Sequence, residues 1–62
     1  MIVVDDKRTW PAIGSVWRKR GGSSDQYRVI DYEGEHVLYQ RLSEGEVFRL
    51  EVWDWDRTMR QF

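Results

Sequence analysis

Two β-prone runs on either side of one glycine occupy the middle of the chain and constrain its fold most strongly. From Gln26 to Leu42, apolar and polar side chains alternate before and after Gly34. Such alternation is typical of two antiparallel strands joined by a tight turn. Glycine suits the turn because it adopts a positive φ without steric strain. The pattern therefore predicts a β-hairpin at the centre of the fold.

Apolar side chains occur on both faces of this predicted hairpin. In its first strand, Tyr27 and Val29 share one face, while Ile30 and Tyr32 share the other. A flat sheet with one solvated face does not require two apolar faces. A bent strand in a small barrel does, because it contributes to the core from both sides of its bend. We therefore expect a strongly bent sheet.

Shorter β-prone segments flank the hairpin. Residues 15–20 are predicted to form the first strand, with Trp17 facing the core, and residues 46–51 to form a strand after a turn at Gly45. The expected fold is mainly β. It is a small curled antiparallel sheet, or an SH3-like partly open barrel of about four or five strands, with a short C-terminal helical turn.

The C-terminal segment, residues 52–62, changes from the period of a strand to that of a helix. One apolar stripe recurs at spacings of three, four and three residues, and comprises Val52, Trp55, Met59 and Phe62. Asp54 is predicted as the N-cap. A helix this short is stable only when its apolar stripe packs against the sheet.

Aromatic side chains have to supply most of the core, because the chain has 62 residues and no cysteine. A domain of this length buries only about 60% of the surface of its unfolded chain, and no disulfide can compensate. Four Trp, three Tyr and two Phe are available instead. The predicted core comprises Trp17, Tyr27, Val29, Val37, Tyr39, Phe48, Leu50, Trp55 and Met59.

Several short aromatic motifs are shared with a known group of small domains. The motifs are Gly14-x-x-Trp17-Arg18, Tyr27-x-Val29, Val37-x-Tyr39-Gln40 and Val52-x-x-Trp55-x-x-x-Met59. From residue 14 to residue 62 the chain resembles domains of unknown function encoded by bacteria and tailed phages, which carry the motifs Y-R-H, Y-x-V, V-x-Y and R-P-L. It departs from them at Lys19, where histidine is common, and at Glu51-Val52, where Pro-Leu is common. The resemblance implies an SH3-like barrel of phage or prophage origin and assigns no catalytic or binding residue.

The whole chain, 1–62, is predicted to be one domain. Residues 14–62 form the barrel and its helical segment, and residues 1–9 form either a flexible arm or an edge strand. No apolar run is long enough to span a membrane, and the first residues do not have the form of a signal peptide. We therefore expect a cytoplasmic domain, in the host cytoplasm if the chain is phage-encoded.

The residue types that catalysis and metal binding need are scarce. Histidine occurs once, as His36, and cysteine not at all, so neither a Ser/His/Asp nor a Cys/His set can be assembled. Glu51, Asp54 and Asp56 form the nearest acidic cluster, which the start of a helix explains better than a metal site does. We expect no enzyme, no catalytic residues, no metal and no cofactor.

Surplus tryptophan together with arginine is the pattern with most functional promise. Trp10 lies outside the barrel pattern and Trp53 lies off the helical stripe, so both are expected at the surface. Exposed Trp and Arg are enriched at the energetic centres of protein interfaces. The sequence favours a protein–protein interaction module, an adaptor or inhibitor, that binds a protein partner or itself. The candidate surface comprises Trp10, Trp53, Arg18, Lys19, Arg20 and Arg28.

A nucleic-acid-binding role is the alternative. Arg18, Arg20 and Arg28 would form a local basic face if their strands pair, and a barrel face with arginine and aromatic side chains can grip single-stranded nucleic acid. The net charge of −1 argues against nonspecific binding of polyanions. The acids expected to pair with these arginines are Asp25, Asp31 and Glu33. The favoured interpretation is therefore the protein interface.

Overall fold

Five antiparallel strands and one short helix make up the part of the chain that the structure, a computed structural model, describes: residues 10–22 and 24–61. In chain order the elements are β1 (Val16–Lys19), β2 (Tyr27–Glu33), β3 (His36–Arg41), β4 (Val47–Glu51), α1 (Val52–Thr58) and β5 (Met59–Gln61). The strands form one sheet in the order β4-β3-β2-β1-β5, so β4 and β5 are its edges among the described residues. The predicted fold, a small curled antiparallel sheet or SH3-like partly open barrel with a short helix, is confirmed.

Strands β2 and β3 form the predicted hairpin. Glu33 pairs with His36, so only Gly34 and Glu35 connect the two strands. Gly34 has a φ of 60°, the left-handed conformation that favours glycine at the first position of such a turn. Strands β1 and β4 then pair with the two outer sides of the hairpin, which therefore sets the register of the sheet.

A β-bulge in β2 explains why both faces of the hairpin sequence are apolar. The pairing register shifts between Val29 and Asp31, which leaves Ile30 as an extra residue. As a result Tyr32, rather than Asp31, lies opposite the fully buried Val37. The bulge thus keeps a carboxylate out of the core, and it bends the strand.

Helix α1 packs against the inner face of the sheet through one tryptophan. The ring of Trp55 lies edge-on to the rings of Tyr39 and Trp17, with centroid separations of 5.2 and 5.5 Å. Edge-to-face packing of this kind stabilises aromatic pairs beyond the burial of their area. The buried core comprises Tyr27, Val29, Val37, Tyr39, Trp55 and Met59, with Trp17, Phe48 and Leu50 partly buried against it. These are the residues that the sequence pattern assigns to the core.

The C-terminal segment is helical over only part of its predicted range. Helix α1 ends at Thr58, and Met59–Gln61 forms β5, so the prediction of a helix over residues 52–62 is wrong. Pairing with β1 provides partners for backbone groups that a frayed helix end would expose. Met59 is still fully buried. Phe62, the last member of the predicted stripe, lies outside the described residues.

The predicted helix cap is also wrong. Glu51 is the N-cap residue, and its side chain makes no capping hydrogen bond. Asp54 lies in the first turn, where its charge interacts favourably with the helix dipole, and its carboxylate accepts a hydrogen bond from Arg57. The helix begins earlier than the pattern indicates because β4 leads directly into it.

The first described residues close the hairpin end of the sheet. Trp10 lies edge-on to Tyr32, with ring centroids 5.1 Å apart. The hydroxyl of Tyr32 donates a hydrogen bond to the carbonyl of Pro11 at 2.7 Å. Residues 1–9, for which a flexible arm or an edge strand is predicted, lie outside the described residues.

Replacing Trp55 by alanine is expected to destabilise the protein by about 3–5 kcal/mol, because its buried ring fills the space between α1 and the sheet. Urea unfolding followed by circular dichroism measures the free energy of unfolding. Trp53 on the same helix is 63% exposed, so Trp53→Ala is the matched control and should change that free energy by no more than about 0.5 kcal/mol. Equal losses in the two variants would contradict the core assignment.

A second prediction concerns alkaline pH. Burial raises the pKa of the Tyr39 hydroxyl above its ordinary value of 10.0, and Tyr27 adds a smaller effect in the same direction. The native state therefore keeps a proton that the unfolded chain releases, so this contribution to stability is complete below about pH 10 and is lost as the pH rises through the raised pKa. In Tyr39→Phe, the free energy of unfolding should fall less steeply above that pH than in wild type. Chemical unfolding at a series of alkaline pH values compares the two slopes, and parallel slopes would refute the prediction.

Candidate functional site

The residues predicted as one interaction surface lie at two ends of the sheet. Trp10 contacts Tyr32 close to the β2–β3 turn. Trp53 follows Val52, whose N–H donates to a carbonyl in the same turn. Strand β1 instead pairs with the beginning of β2, away from that turn. The basic residues 18–20 therefore lie at the opposite end from the two tryptophans.

The two tryptophans also differ in exposure. Trp10 is half-buried because its ring packs against Tyr32. Trp53 is 63% exposed, whereas Trp55 on the same helix is 1% exposed. Since the buried ring of Trp55 anchors α1 to the sheet, the helix presents Trp53 on a rigid support.

An open cleft of about 370 Å³ lies at the arginine end of the sheet. The described residues that line it include four basic side chains and no acidic one, and are Arg18, Lys19, Arg20, Gly21, Gly22, Ser24 and Arg60. Strand β1 and its following loop form one wall, and β5 contributes Arg60. The cleft thus brings together three predicted surface residues and one that the sequence analysis missed. We call it the cationic cleft.

Arg18 and Arg60 are direct neighbours across the β1–β5 ladder. Directly opposed side chains lie on the same face of a sheet, and two like charges in this position cost up to about 1 kcal/mol. An anion bound between the two guanidinium groups would offset that cost. The alternation around Arg60 is too short to identify a strand from the sequence, because β5 has three residues and Met59 also fits the helical stripe.

Arg20 ties the end of β1 to the end of the helix. Its backbone N–H donates to the carbonyl of Thr58 at 2.9 Å, and its Nε donates to the backbone carbonyl of Asp56 at 2.8 Å. Both partners are backbone atoms, so the side-chain bond fixes the orientation of the guanidinium group without neutralising its charge. The wall of the cationic cleft is therefore held in place by α1.

Lys19 has a different environment from the three arginines of the cleft. Its Nζ lies 5.5 Å from the centre of the Tyr27 ring and 6.0 Å from that of Phe48. A cation at this distance is attracted to the face of an aromatic ring. Lys19 therefore lines the cleft and also contacts two aromatic rings of the core.

Arg28 does not line the cleft, but it shares the outer face of the sheet with Arg18. It lies opposite Val16 on β1, and Arg18 is the next residue of β1 on the same face. The outer face therefore carries a row of basic side chains from β5 across β1 to β2, formed by Arg60, Arg18 and Arg28.

The acids that the sequence offers as partners for these arginines contact other groups. A carboxylate oxygen of Asp25 lies 3.7 Å from Arg41. Glu33 is paired with Arg49 at 3.1 Å, and Asp31 accepts a hydrogen bond from the backbone N–H of its neighbour. The contacts of Glu33 and Asp31 thus involve residues that do not line the cleft.

Within the described ranges, no group of three or more His, Asp or Glu side chains is arranged to hold a metal ion. His36 is half-buried at the start of β3. Residues 10–22 and 24–61 also contain no helix that is long and apolar enough to cross a membrane.

Comparison with protein-family models, with curated protein sequences and with solved structures found no match to this chain. The geometry of the cleft and of the exposed tryptophan is therefore the basis for assigning a function.

Proposed function

We propose that this protein is a small non-enzymatic module that binds the phosphate groups of single-stranded nucleic acid. The observation that supports the proposal is the convergence of Arg18, Arg20 and Arg60 on one open cleft whose described lining contains no acid. Guanidinium groups bind phosphate oxygens through charge-assisted and often bidentate hydrogen bonds. The cleft has the chemistry of a phosphate site.

The net charge of −1 does not oppose this proposal, because counterion release depends on the cations that contact phosphates. Among the residues that do not line the cleft, basic and acidic side chains lie next to each other. Arg41 contacts Asp25 and Glu46, and Arg49 contacts Glu33. The near-neutral net charge is thus the sum of a region where opposite charges lie next to each other and a locally positive region at the cleft.

A polymer fits the arrangement better than an isolated anion does. The basic row on the outer face continues from the cleft to Arg28, which gives a second contact for a chain of phosphates. A single strand can bend its backbone to follow a groove, whereas a duplex holds its phosphates on a rigid cylinder. Single strands are therefore the proposed ligand.

The test is fluorescence anisotropy with labelled DNA and RNA strands of about ten nucleotides. Three phosphate contacts predict a salt slope of roughly −2, so affinity should fall about 20-fold between about 50 and 200 mM salt. Arg60→Gln should weaken binding about five-fold or more and reduce the slope by about 0.7, because one counterion-releasing contact is lost.

Arg49→Gln is the matched control for that variant. Arg49 is an exposed strand residue, it makes its ion pair with Glu33 outside the cleft, and its replacement changes the net charge by the same amount. Binding by Arg49→Gln should equal that of wild type. Absence of binding at low salt, or equal losses in the two variants, would overturn the proposal.

A protein–protein interaction module, an adaptor or inhibitor that binds a protein partner or a second copy, is the second candidate. It is supported by Trp53, which is 63% exposed on a helix anchored to the core. Large exposed aromatic side chains on rigid supports are typical anchors of protein interfaces. Because Trp10 is half-buried and the basic residues 18–20 lie at the other end of the sheet, Trp53 would act without them.

If the partner is a second copy, the measured mass in light scattering should rise with concentration for wild type and stay at that of one chain for Trp53→Ala. Trp53→Phe, which keeps an aromatic ring, should restore part of the association. A wild-type mass of one chain up to about millimolar concentration would refute self-association.

A phage or prophage origin and a cytoplasmic location remain predictions from the sequence. Both agree with a small binding module without catalytic groups, and neither is needed for the two proposals above.

A further inference from the structure

A second cleft, of about 300 Å³, adjoins the cationic cleft. Its lining residues are Ser24, Asp25, Gln26, Leu42 and Ser43. Ser24 also lines the cationic cleft, so the two clefts meet at this residue. A ligand with two chemically different parts can therefore occupy both.

The lining of the second cleft differs in chemistry from that of the first. It offers an amide, which both donates and accepts hydrogen bonds, two serine hydroxyl groups and the exposed aliphatic side chain of Leu42. The backbone N–H of Leu42 donates to the carbonyl of Gln26 at 2.9 Å, which extends the β2–β3 pairing beyond the strands. Gln26 and Leu42 are thus opposed across the base of the hairpin, so their side chains lie next to each other on the same face.

The acid in this cleft is held next to cationic charge. Asp25 lies 3.7 Å from Arg41, which also contacts Glu46 at 3.0 Å and lies over the ring of Phe48. Arg41 reduces the repulsion that Asp25 would exert on an anion in the neighbouring cleft. The carboxylate can still accept a hydrogen bond from a sugar hydroxyl group.

We propose that the second cleft binds the nucleoside, sugar and base, of the nucleotide whose phosphate occupies the cationic cleft. The amide of Gln26 would pair with polar atoms on the edge of the base, and Leu42 would contact its face. The serine hydroxyl groups and Asp25 would contact the sugar. This inference rests on the proposed nucleic-acid binding and deepens it, because it predicts that the module reads bases as well as phosphates.

The test compares three probes. Two have the same spacing of phosphates: a labelled single strand and the same sugar-phosphate strand without bases. The third is the corresponding free nucleoside monophosphate. Wild type should bind the complete strand about tenfold more tightly than the abasic one. Gln26→Ala with Leu42→Ala should lower affinity for the complete strand to the level of the abasic strand. It should leave abasic binding unchanged, because the cationic cleft is intact.

Val47→Ala is the control, since Val47 is a 54% exposed aliphatic residue on β4 that does not line either cleft. It should bind both strands as wild type does, and thermal unfolding should show that all variants are folded. Binding of the free nucleotide as tight as that of the strand would assign the two clefts to a soluble nucleotide and overturn the strand ligand.

The failures of the two proposals are distinguishable. If wild type binds complete and abasic strands equally, the nucleoside site is refuted while phosphate binding stands. The same holds if the Gln26 and Leu42 changes weaken both strands equally. If neither strand binds at low salt, the nucleic-acid function fails and the nucleoside site fails with it.

Discussion

The packing of Trp55 against Trp17 and Tyr39 determines where β5 lies. A helix of seven residues has little stability of its own, so the buried indole ring holds it over the inner face of the sheet. The helix ends next to β1, where the backbone N–H of Arg20 donates a hydrogen bond to the carbonyl of Thr58. Only from this point can β5 pair with β1 and bring Arg60 opposite Arg18. The cationic cleft is thus a consequence of aromatic packing elsewhere in the molecule.

Alternation in the sequence was sufficient to predict the hairpin and the core, because burial of one face imposes a period of two over several residues. The bulge at Ile30 was visible only indirectly, as apolar side chains on both faces of one strand. The strand β5 could not be predicted. Met59 satisfies both a helical stripe and an inward strand position, and a three-residue strand shows too few alternations to decide between them.

The basic run at residues 18–20 is evident in the sequence, but the composition of the cleft is not. Arg60 joins it through pairing between distant segments, which no local pattern reports. Ion pairing was equally hard to predict from proximity in the chain. Glu33 contacts Arg49 on another strand, and Asp25 contacts Arg41. Net charge hides such segregation, since it adds a region of adjacent opposite charges and a row of basic side chains into one number.

Because β5 is an edge strand that supplies Arg60, local unfolding of β5 would change the cationic cleft. A short edge strand is held by hydrogen bonds along one side only, and such segments open at a lower free energy than the central strands of a sheet. Opening of β5 would remove Arg60 from the cleft while leaving the hairpin intact. By thermodynamic linkage, any anion that binds Arg18 and Arg60 together must then slow amide hydrogen exchange at β5 more than at β3. The last strand of the sheet would thus become ordered to a degree set by ligand concentration.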